Sequence, residues 1–579
     1  MTTMNDVSVS SEKPLVRASW WILLAVLIAA AIIRYHLLDV PMERDEGEYA
    51  YAAQLLLQGI LPYEHVYNMK LPGIYAAYAL AIALFGQTPA GVHLGLLLVN
   101  ACTTVLVFLL ARRMFNPVVA VISAASFATL SLSQAMQGVY ANAEHFVILP
   151  AVAGILVLHI ALGKKHWVWY FAAGLLLGLA FIIKQHGIVF IVAGIAIFVA
   201  HYLRERSKPD KILYWNALSL GVGIFLPFII VCLIYVAAGS FSQFWFWTFD
   251  YAKTYATKVS AKLAVKNFIM YASMVFSIGW PLWLLAIVGL VIPFLKNNVW
   301  YNKVWYDTIN QKGIYLVLLA FFSFLGVFPG FYFRSHYFVL IIPAASILIG
   351  VAVYSLPCSK KFQTIRKGGV GALLALAGLA IAVTLFQQRL YLFSLTPYAV
   401  TRTIYGINPF PEAIAIADYI KQNSTKNDLI AVIGSEPEIY FYAQRRAATG
   451  YIYTYSLMEE NQYALKMQQQ MISEIEQAKP LYIVYLDPRT MPWSWLPIRG
   501  SHKELFYWFQ KYRADNYTRV GLIQFFIDGT TFSWDENAQN KPRSQVWLEV
   551  LKRNSLDKIE RSQDETKQSS TSSLQAPAQ

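Results

Sequence analysis

The sequence predicts a polytopic α-helical membrane protein that crosses the bilayer about eleven times and carries a C-terminal α/β domain outside it. Three observations predict this class. Of 579 residues, 57% are apolar and only 14% charged, whereas soluble chains carry about a quarter charged residues. The apolar residues fall in blocks fit to cross a hydrocarbon core, such as Trp20 to Ile33, Val92 to Ala111, Leu213 to Ala238 and Gly368 to Leu385. After residue 388 such blocks stop, and helix and strand signals alternate.

Spans are expected near 19–39, 90–111, 117–135, 143–162, 167–183, 186–203, 213–238, 270–295, 313–330, 336–356 and 368–387. Residues 117–162 and 167–203 make short pairs, which suits tilted or central helices. Ile74 to Phe85 is too short to cross and is expected along the interface. The first block follows a polar leader with Lys13 and Arg17 and no small-residue cleavage site, so it reads as an uncleaved span. The cysteines Cys102, Cys232 and Cys358 offer no disulfide framework.

The net charge of +14 raises the question of nucleic acid, but the basic residues occupy short loops between apolar blocks, which excludes that partner and leaves membrane lipids. Alternate loops differ. One set holds Lys13 and Arg17, Arg112 and Arg113, Lys164 and Lys165, Arg204 to Lys211, Lys296 to Lys312 and Lys360 to Lys367. The other holds Arg44, Lys70, Lys184, the lysines from Lys253 to Lys266, and Arg334. The first set is richer and faces the cytoplasm by the positive-inside rule. An odd number of spans then puts the chain after residue 388 outside.

The organisation expected is a membrane domain over residues 1–390, an outer α/β domain over 391–536, and a polar, disordered tail over 537–579. In the outer domain Pro411 to Gln422 and Leu457 to Ala478 read as helices. Leu429 to Ile433, Leu481 to Leu486 and Gly521 to Ile527 read as strands. The turn from Ile433 to Pro437 lacks a dinucleotide-binding glycine pattern and reads as a plain strand-to-helix turn.

The first outer loop is the most informative segment. Glu43, Asp45, Glu46, Glu48 and Glu64 lie there beside Arg44 and Lys70, with Tyr49 and Tyr67 among them. A helix is expected from Gly47 to Gly59, so Asp45 and Glu46 would precede its N-terminus. Asp45 is then either an N-cap or a catalytic carboxylate. Glu144 opens a later span beside His145, with Asn142 as a candidate cap; an end-of-span carboxylate and a catalytic one look alike here. Lys184, Gln185 and His186 form a tight outer loop, where the lysine either snorkels or faces a cavity or partner. Phe331 to Tyr337 adds Arg334 and His336. Carboxylates able to take a hydroxyl proton, next to cations able to hold a leaving phosphate, suit glycosyl transfer from a lipid phosphate.

The order of a first span, Asp45-Glu46, a helix with Tyr49 ending at Gly59, and Lys70-Leu71-Pro72 resembles the GT-C glycosyltransferases. More narrowly it is similar to the branch of protein O-mannosyltransferases and the lipid A aminoarabinose transferase. The resemblance extends through Glu144, Lys184 and the run from His336, over roughly the first 390 residues. It implies a GT-C-like fold, a polyprenyl monophosphate sugar donor and inversion at the anomeric carbon. It makes Asp45 the expected base, with Glu46 and Glu144 as further catalytic candidates, and places Lys70, Lys184 and Arg334 near the donor phosphate. Tyr49, Tyr67, His186 and His336 are other candidates. The acceptor would be a glycan, lipid or protein, at the outer face of a bacterial plasma membrane. Metal use varies in the superfamily; no metal ligand or cofactor is assigned, and a divalent ion stays open. Two departures are Lys70-Leu71-Pro72-Gly73 where the family usually has Lys-Pro-Pro, and Lys184-Gln185 where it has Lys-Gly. The competing readings are a transporter or flippase, which would want ionisable residues at the midplane, and a polysaccharide ligase or polymerase, which would want a large late outer loop.

The loop charges make a direct prediction. A topology reporter fused after residue 400 should be active only outside the cytoplasm, and one fused at Lys208 only inside. The opposite pattern would turn the acidic loop to the cytosol.

Overall fold

The computed structural model describes residues 6–205, 211–295, 303–358, 369–495 and 500–555. They divide into two compact units: residues 1–40 with 69–400, and residues 41–68 with 401–579. The division departs from the expected boundary at 390, because the acidic first loop belongs with the C-terminal part of the chain. The expected basic loops at Arg206 to Asp210, Lys296 to Asn302 and Ser359 to Gly368, and the tail from 556, lie outside the described residues.

The first unit is helical. We name α1 (Asp6–His36), α2 (Arg44–Leu57, in the second unit), α3 (Pro72–Phe85), α4 (Pro89–Met114), α5 (Pro117–Leu130), α6 (Ala143–Lys164), α7 (Trp167–Ile183) and α8 (Ile188–Glu205). Sequence chemistry sets their starts. Thr88 accepts from the Gly91 amide ahead of Pro89, and Asn116 accepts from Val118 and Val119 ahead of Pro117; a capping side chain followed by proline at the first helical position uses donors that have no partner within the helix.

Among the described residues seven helices are long and apolar enough to cross a membrane: Leu15–His36, Pro89–Met114, Ala143–Lys164, Gln185–Glu205, Lys211–Ala237, Asp307–Leu325 and Ser335–Ser355. Four more are apolar but shorter, including α3, α5 and α7. The span expected at 270–295 is instead a pair, Ala261–Ser277 and Trp280–Phe294, bent by 105°. The break falls at Gly279, and Pro281 lies in the first turn of the second helix, where proline is tolerated but cannot continue a preceding helix. Within this unit Ser335–Ser355 is the central helix, 89% buried, whereas Leu15–His36 is 11% buried and presents Trp21, Ile28 and Ile32 outward. An outward apolar helix needs lipid around it, and the protein is a multi-pass integral membrane protein.

The second unit holds a six-stranded sheet. Its strands are β1 (Leu429–Ile433), β2 (Arg446–Ala447), β3 (Tyr482–Tyr485), β4 (Tyr517–Phe526), β5 (Gly529–Trp534) and β6 (Val546–Arg553), in the order β2-β1-β3-β6-β4-β5. β2, β1 and β3 run parallel; β6 is antiparallel to both neighbours. Helices Phe410–Gln422, Ala464–Ala478 and Glu504–Asn516 accompany it. The polar helix expected from Leu457 begins only at Ala464, because the Asn461 side chain accepts from the Tyr463 amide in a turn of its own.

β6 overturns the expected disorder after 537. Leu548, Val550 and Leu551 are buried, and Glu549, also buried, accepts from Arg513 at 2.7 Å and Arg519 at 2.9 Å. A strand between two others cannot be removed without exposing two unpaired edges. A chain ending at Ser555 should therefore keep the melting behaviour and protease resistance of the second unit. One ending at Lys541 should lose both; equal resistance of the two truncations would refute the central placement of β6.

Candidate active site

In the second unit the carboxylates of the first loop separate by role. α2 starts at Arg44, not at Gly47, so Asp45 and Glu46 lie in its first turn. The N-cap is Glu43. Its carboxylate accepts from the Glu46 amide at 3.1 Å, and Glu46 accepts from the Glu43 amide at 3.2 Å, a reciprocal capping box. Asp45 is not the cap. Glu48 is buried and accepts from the Asn68 amide at 2.6 Å. Of the carboxylates between residues 43 and 48, Asp45 alone is half-exposed; Glu43, Glu46 and Glu48 are buried.

Arg44 is fastened away from any ligand role. Its guanidinium donates to the Ser435 carbonyl, to Tyr455 Oη at 3.0 Å, to Asn408 at 3.2 Å and to Glu436 at 2.9 Å. The turn from Ile433 to Pro437 thus receives Arg44. Burial opposes the charge of Arg44, but Tyr455 and Glu436 outweigh it and hold its pKa well above the ordinary value. α2 also packs on the short helix Glu438–Ala443, where a Cβ at Gly47 would lie 2.5 Å from the Glu438 nitrogen. Only glycine permits that approach. Tyr49 is buried in α2, and the half-buried Tyr67 donates to Glu474 at 3.2 Å with its ring on Tyr451.

In the first unit the histidines and Lys184 come together. Lys184 sits at φ −156°, ψ 141°, an extended break between α7 and the turn Gln185–Gly187. Its Nζ lies 2.5 Å from Glu144 Oε1, with the lysine side chain 9% and the glutamate 0% exposed. Asn142 stands at the N-cap of α6 but makes no side-chain capping bond. Glu144 is therefore a buried ion-pair partner, and its Oε2 has no hydrogen-bond partner. Lys184 Nζ also lies 4.7 Å from the Tyr337 ring centroid, and the His186 ring meets that ring edge-on at 4.6 Å. His336 Nδ1 is 3.0 Å from Gln137 Oε1. His186 and His336 act electrostatically on Glu144, and Lys70 acts on His186. Arg334 is exposed, its guanidinium 5.9 Å from the Tyr332 ring centroid.

Three participants escaped the sequence reading. Tyr337 was hidden in an apolar run, and its only signal was its place directly after His336. Gln137 looked like loop filler. Arg34, at the end of α1, donates to the Ser131 and Gly138 carbonyls at 2.9 Å each and so shapes the turn that carries Gln137. Among the described residues no group of three or more His, Cys, Asp or Glu side chains is placed to hold a metal ion.

Solved structures share this fold. ArnT from Cupriavidus metallidurans in the apo state matches with a TM-score of 0.56 at 16% identity, over 92% of this chain and 98% of that one. The same enzyme bound to undecaprenyl phosphate matches at 0.53 and 17% identity, with the same coverage. The Archaeoglobus fulgidus oligosaccharyltransferase tethered with an acceptor peptide matches at 0.50 and 12%, over 90% of this chain and 75% of that one. The fold is that of the GT-C membrane glycosyltransferases. More narrowly, residues 70–231 match the family model of the dolichyl-phosphate-mannose-protein mannosyltransferases, a segment that contains Lys70, Glu144, Lys184 and His186. No curated protein sequence matches the chain.

Glu438 carries the prediction from this geometry. It is fully buried and neither carboxylate oxygen has a hydrogen-bond partner. Burial, then the neighbouring Glu436, pushes it well above the usual carboxylate range. A carboxyl raised in this way stabilises the fold below its unfolded pKa and loses that contribution as pH rises through the folded one. Glu438→Gln, which cannot ionise, should therefore gain in melting temperature over the parent as pH is raised from about 5 to 9. A pH-independent difference would show that the fold does not shift the Glu438 carboxyl from its unfolded pKa.

Proposed function

We propose that the protein is an inverting glycosyltransferase that moves a sugar from a polyprenyl monophosphate carrier to an acceptor hydroxyl on the outer face of a bacterial plasma membrane. The observation that carries this reading is the Lys184–Glu144 pair, set beside His336 and beside Lys70 and His186; all of these but His336 fall within the segment that matches a family named for a lipid-phosphate sugar donor. The fold shared with an enzyme solved bound to undecaprenyl phosphate supports the same donor class.

The acceptor oxygen attacks the anomeric carbon from the face opposite the phosphate. A glycosidic bond forms, the bond from that carbon to the phosphate oxygen breaks, and its electron pair leaves with the lipid phosphate. Asp45 takes the acceptor proton; of the four carboxylates between residues 43 and 48 it is the one that is neither buried nor part of the helix cap. Lys70 and Lys184 offset the charge growing on the phosphate. Glu144 orients Lys184, a role that suits its complete burial better than proton transfer does. Arg334, exposed on the turn before His336, is a further contact for the phosphate. The acceptor is a hydroxyl of a glycan, a lipid or a protein.

Asp45→Asn keeps the shape and removes the basicity. Transfer from a radiolabelled polyprenyl-phosphate sugar should fall on the order of 100-fold or more, with melting temperature unchanged, because the helix cap is Glu43. Near-normal transfer would end the assignment of Asp45. Lys70→Met should raise the donor KM, lower kcat, or both. Lys184→Met should do the same when paired with Glu144→Gln, which avoids a buried unpaired carboxylate. Wild-type kinetics in both would reduce these lysines to structural cations.

A further inference from the structure

We infer that Gln185 is a positioning residue that sets the direction in which Lys70 leaves the backbone; the inference rests on the transferase reading of Lys70 and Lys184. Neither lysine is held by a helical ladder. Lys70 lies in the irregular stretch before α3, and Lys184 in a one-residue extended break. The Gln185 amide joins these segments. Its Nε2 donates to the Met69 carbonyl at 2.8 Å and to the Thr248 carbonyl at 3.4 Å. A primary amide has two N–H donors, and here they reach two different segments. One is the residue directly before Lys70. The other is a π-helical stretch, Phe246–Tyr251, a departure from α-helix found mostly at functional sites.

The second anchor is steric. A Cβ at Gly73 would lie 2.5 Å from the Ile182 carbonyl oxygen, so the start of α3 lies directly on the end of α7. Lys70 is thus flanked by Met69 and Gly73, and Lys184 by Gln185 and Ile182, with a contact on each side. The two anchors do different work. Packing at Gly73 brings the segments close but does not itself set the tilt of the Met69–Lys70 peptide plane. A hydrogen bond to the Met69 oxygen restrains that plane, because the peptide unit is rigid. The plane includes the Lys70 nitrogen and α-carbon, so restraining it sets the axis about which the Lys70 side chain swings and narrows its directions to those its φ allows.

Gln185→Met matches the size and removes both donors. On the purified full-length protein, its donor KM should rise about tenfold, the scale of one lost hydrogen bond, with kcat, acceptor KM and melting temperature near wild type. The double variant with Lys70→Met should have the same donor KM as Lys70→Met alone, because Gln185 acts through Lys70. Additive effects in that cycle would overturn the inference, as would a wild-type donor KM in Gln185→Met or a loss confined to melting temperature. If the wild-type protein transfers no sugar from any polyprenyl monophosphate donor, the transferase reading falls instead. If wild type transfers and Lys70→Met impairs donor use while Gln185→Met does not, only the role of Gln185 falls.

Discussion

An ammonium among apolar helices persists only with a partner, and the pairing of Lys184 with Glu144 is the interaction on which the first unit's polar cluster depends. Removing one member of such a buried pair costs about 3–5 kcal/mol, because the other charge is left without compensation. That constraint explains where the polar residues stand. Glu144 is in the first turn of α6, Lys184 is in the gap after α7, and His336 lies in the 3₁₀ stretch Ser335–Ile341 that opens the central helix. Each position is a helix end or an irregular stretch. Inside hydrocarbon an α-helix satisfies its own backbone, and departures from it are tolerated only where protein or water supplies partners. Polar chemistry and broken backbone therefore gather in the same places.

The acidic loop obeys a different logic. Four carboxylates crowd residues 43 to 48, and crowding would raise all their proton affinities if they shared one environment. The fold gives them separate environments instead. Glu43 and Glu46 complete the helix start, Glu48 holds Asn68, and Asp45 keeps access to solvent. Burial, then Asp45 and Glu46, pushes Glu43 well above the usual carboxylate range. The capping residue is thereby poorly suited to stay ionised as a base, which separates its work from the one proposed for Asp45.

Much of this was legible in the residues. Apolar blocks of spanning length marked most of the helices, since hydropathy and length are properties of sequence alone. β1 was read to the residue, and β3 and β4 to within a few, because short buried strands bounded by turns are distinctive. β6 was not. Val546 to Arg553 mixes Glu549, Lys552 and Arg553 into its pattern, and what makes it a strand is pairing with β3 and β4. The bend at Gly279 was hidden because both halves are apolar. In the site, Asp45, Lys184 and His186 stood out by charge against an apolar background. The split between cap and candidate base depended on a helix beginning three residues earlier than its apolar pattern suggested. Tyr337 could not be singled out, and Gln185 stood out only as a departure from the family pattern, since their part is defined by what they touch.

The second unit is discontinuous, and that fixes a schedule for its assembly. Arg44 meets Glu436 across 392 residues of chain. At a synthesis rate of about 5–20 residues per second, the two are made roughly 20–80 s apart. Through that interval the helix bearing Asp45 lacks the turn that binds Arg44 and the short helix against Gly47. β6, which completes the sheet, emerges later still. An isolated 14-residue helix is marginal in water, so its ordering waits for the end of translation. A ribosome-bound chain with every membrane span already made would still lack a settled carboxylate helix, and the helix bearing Asp45 would be among the last parts of its unit to order.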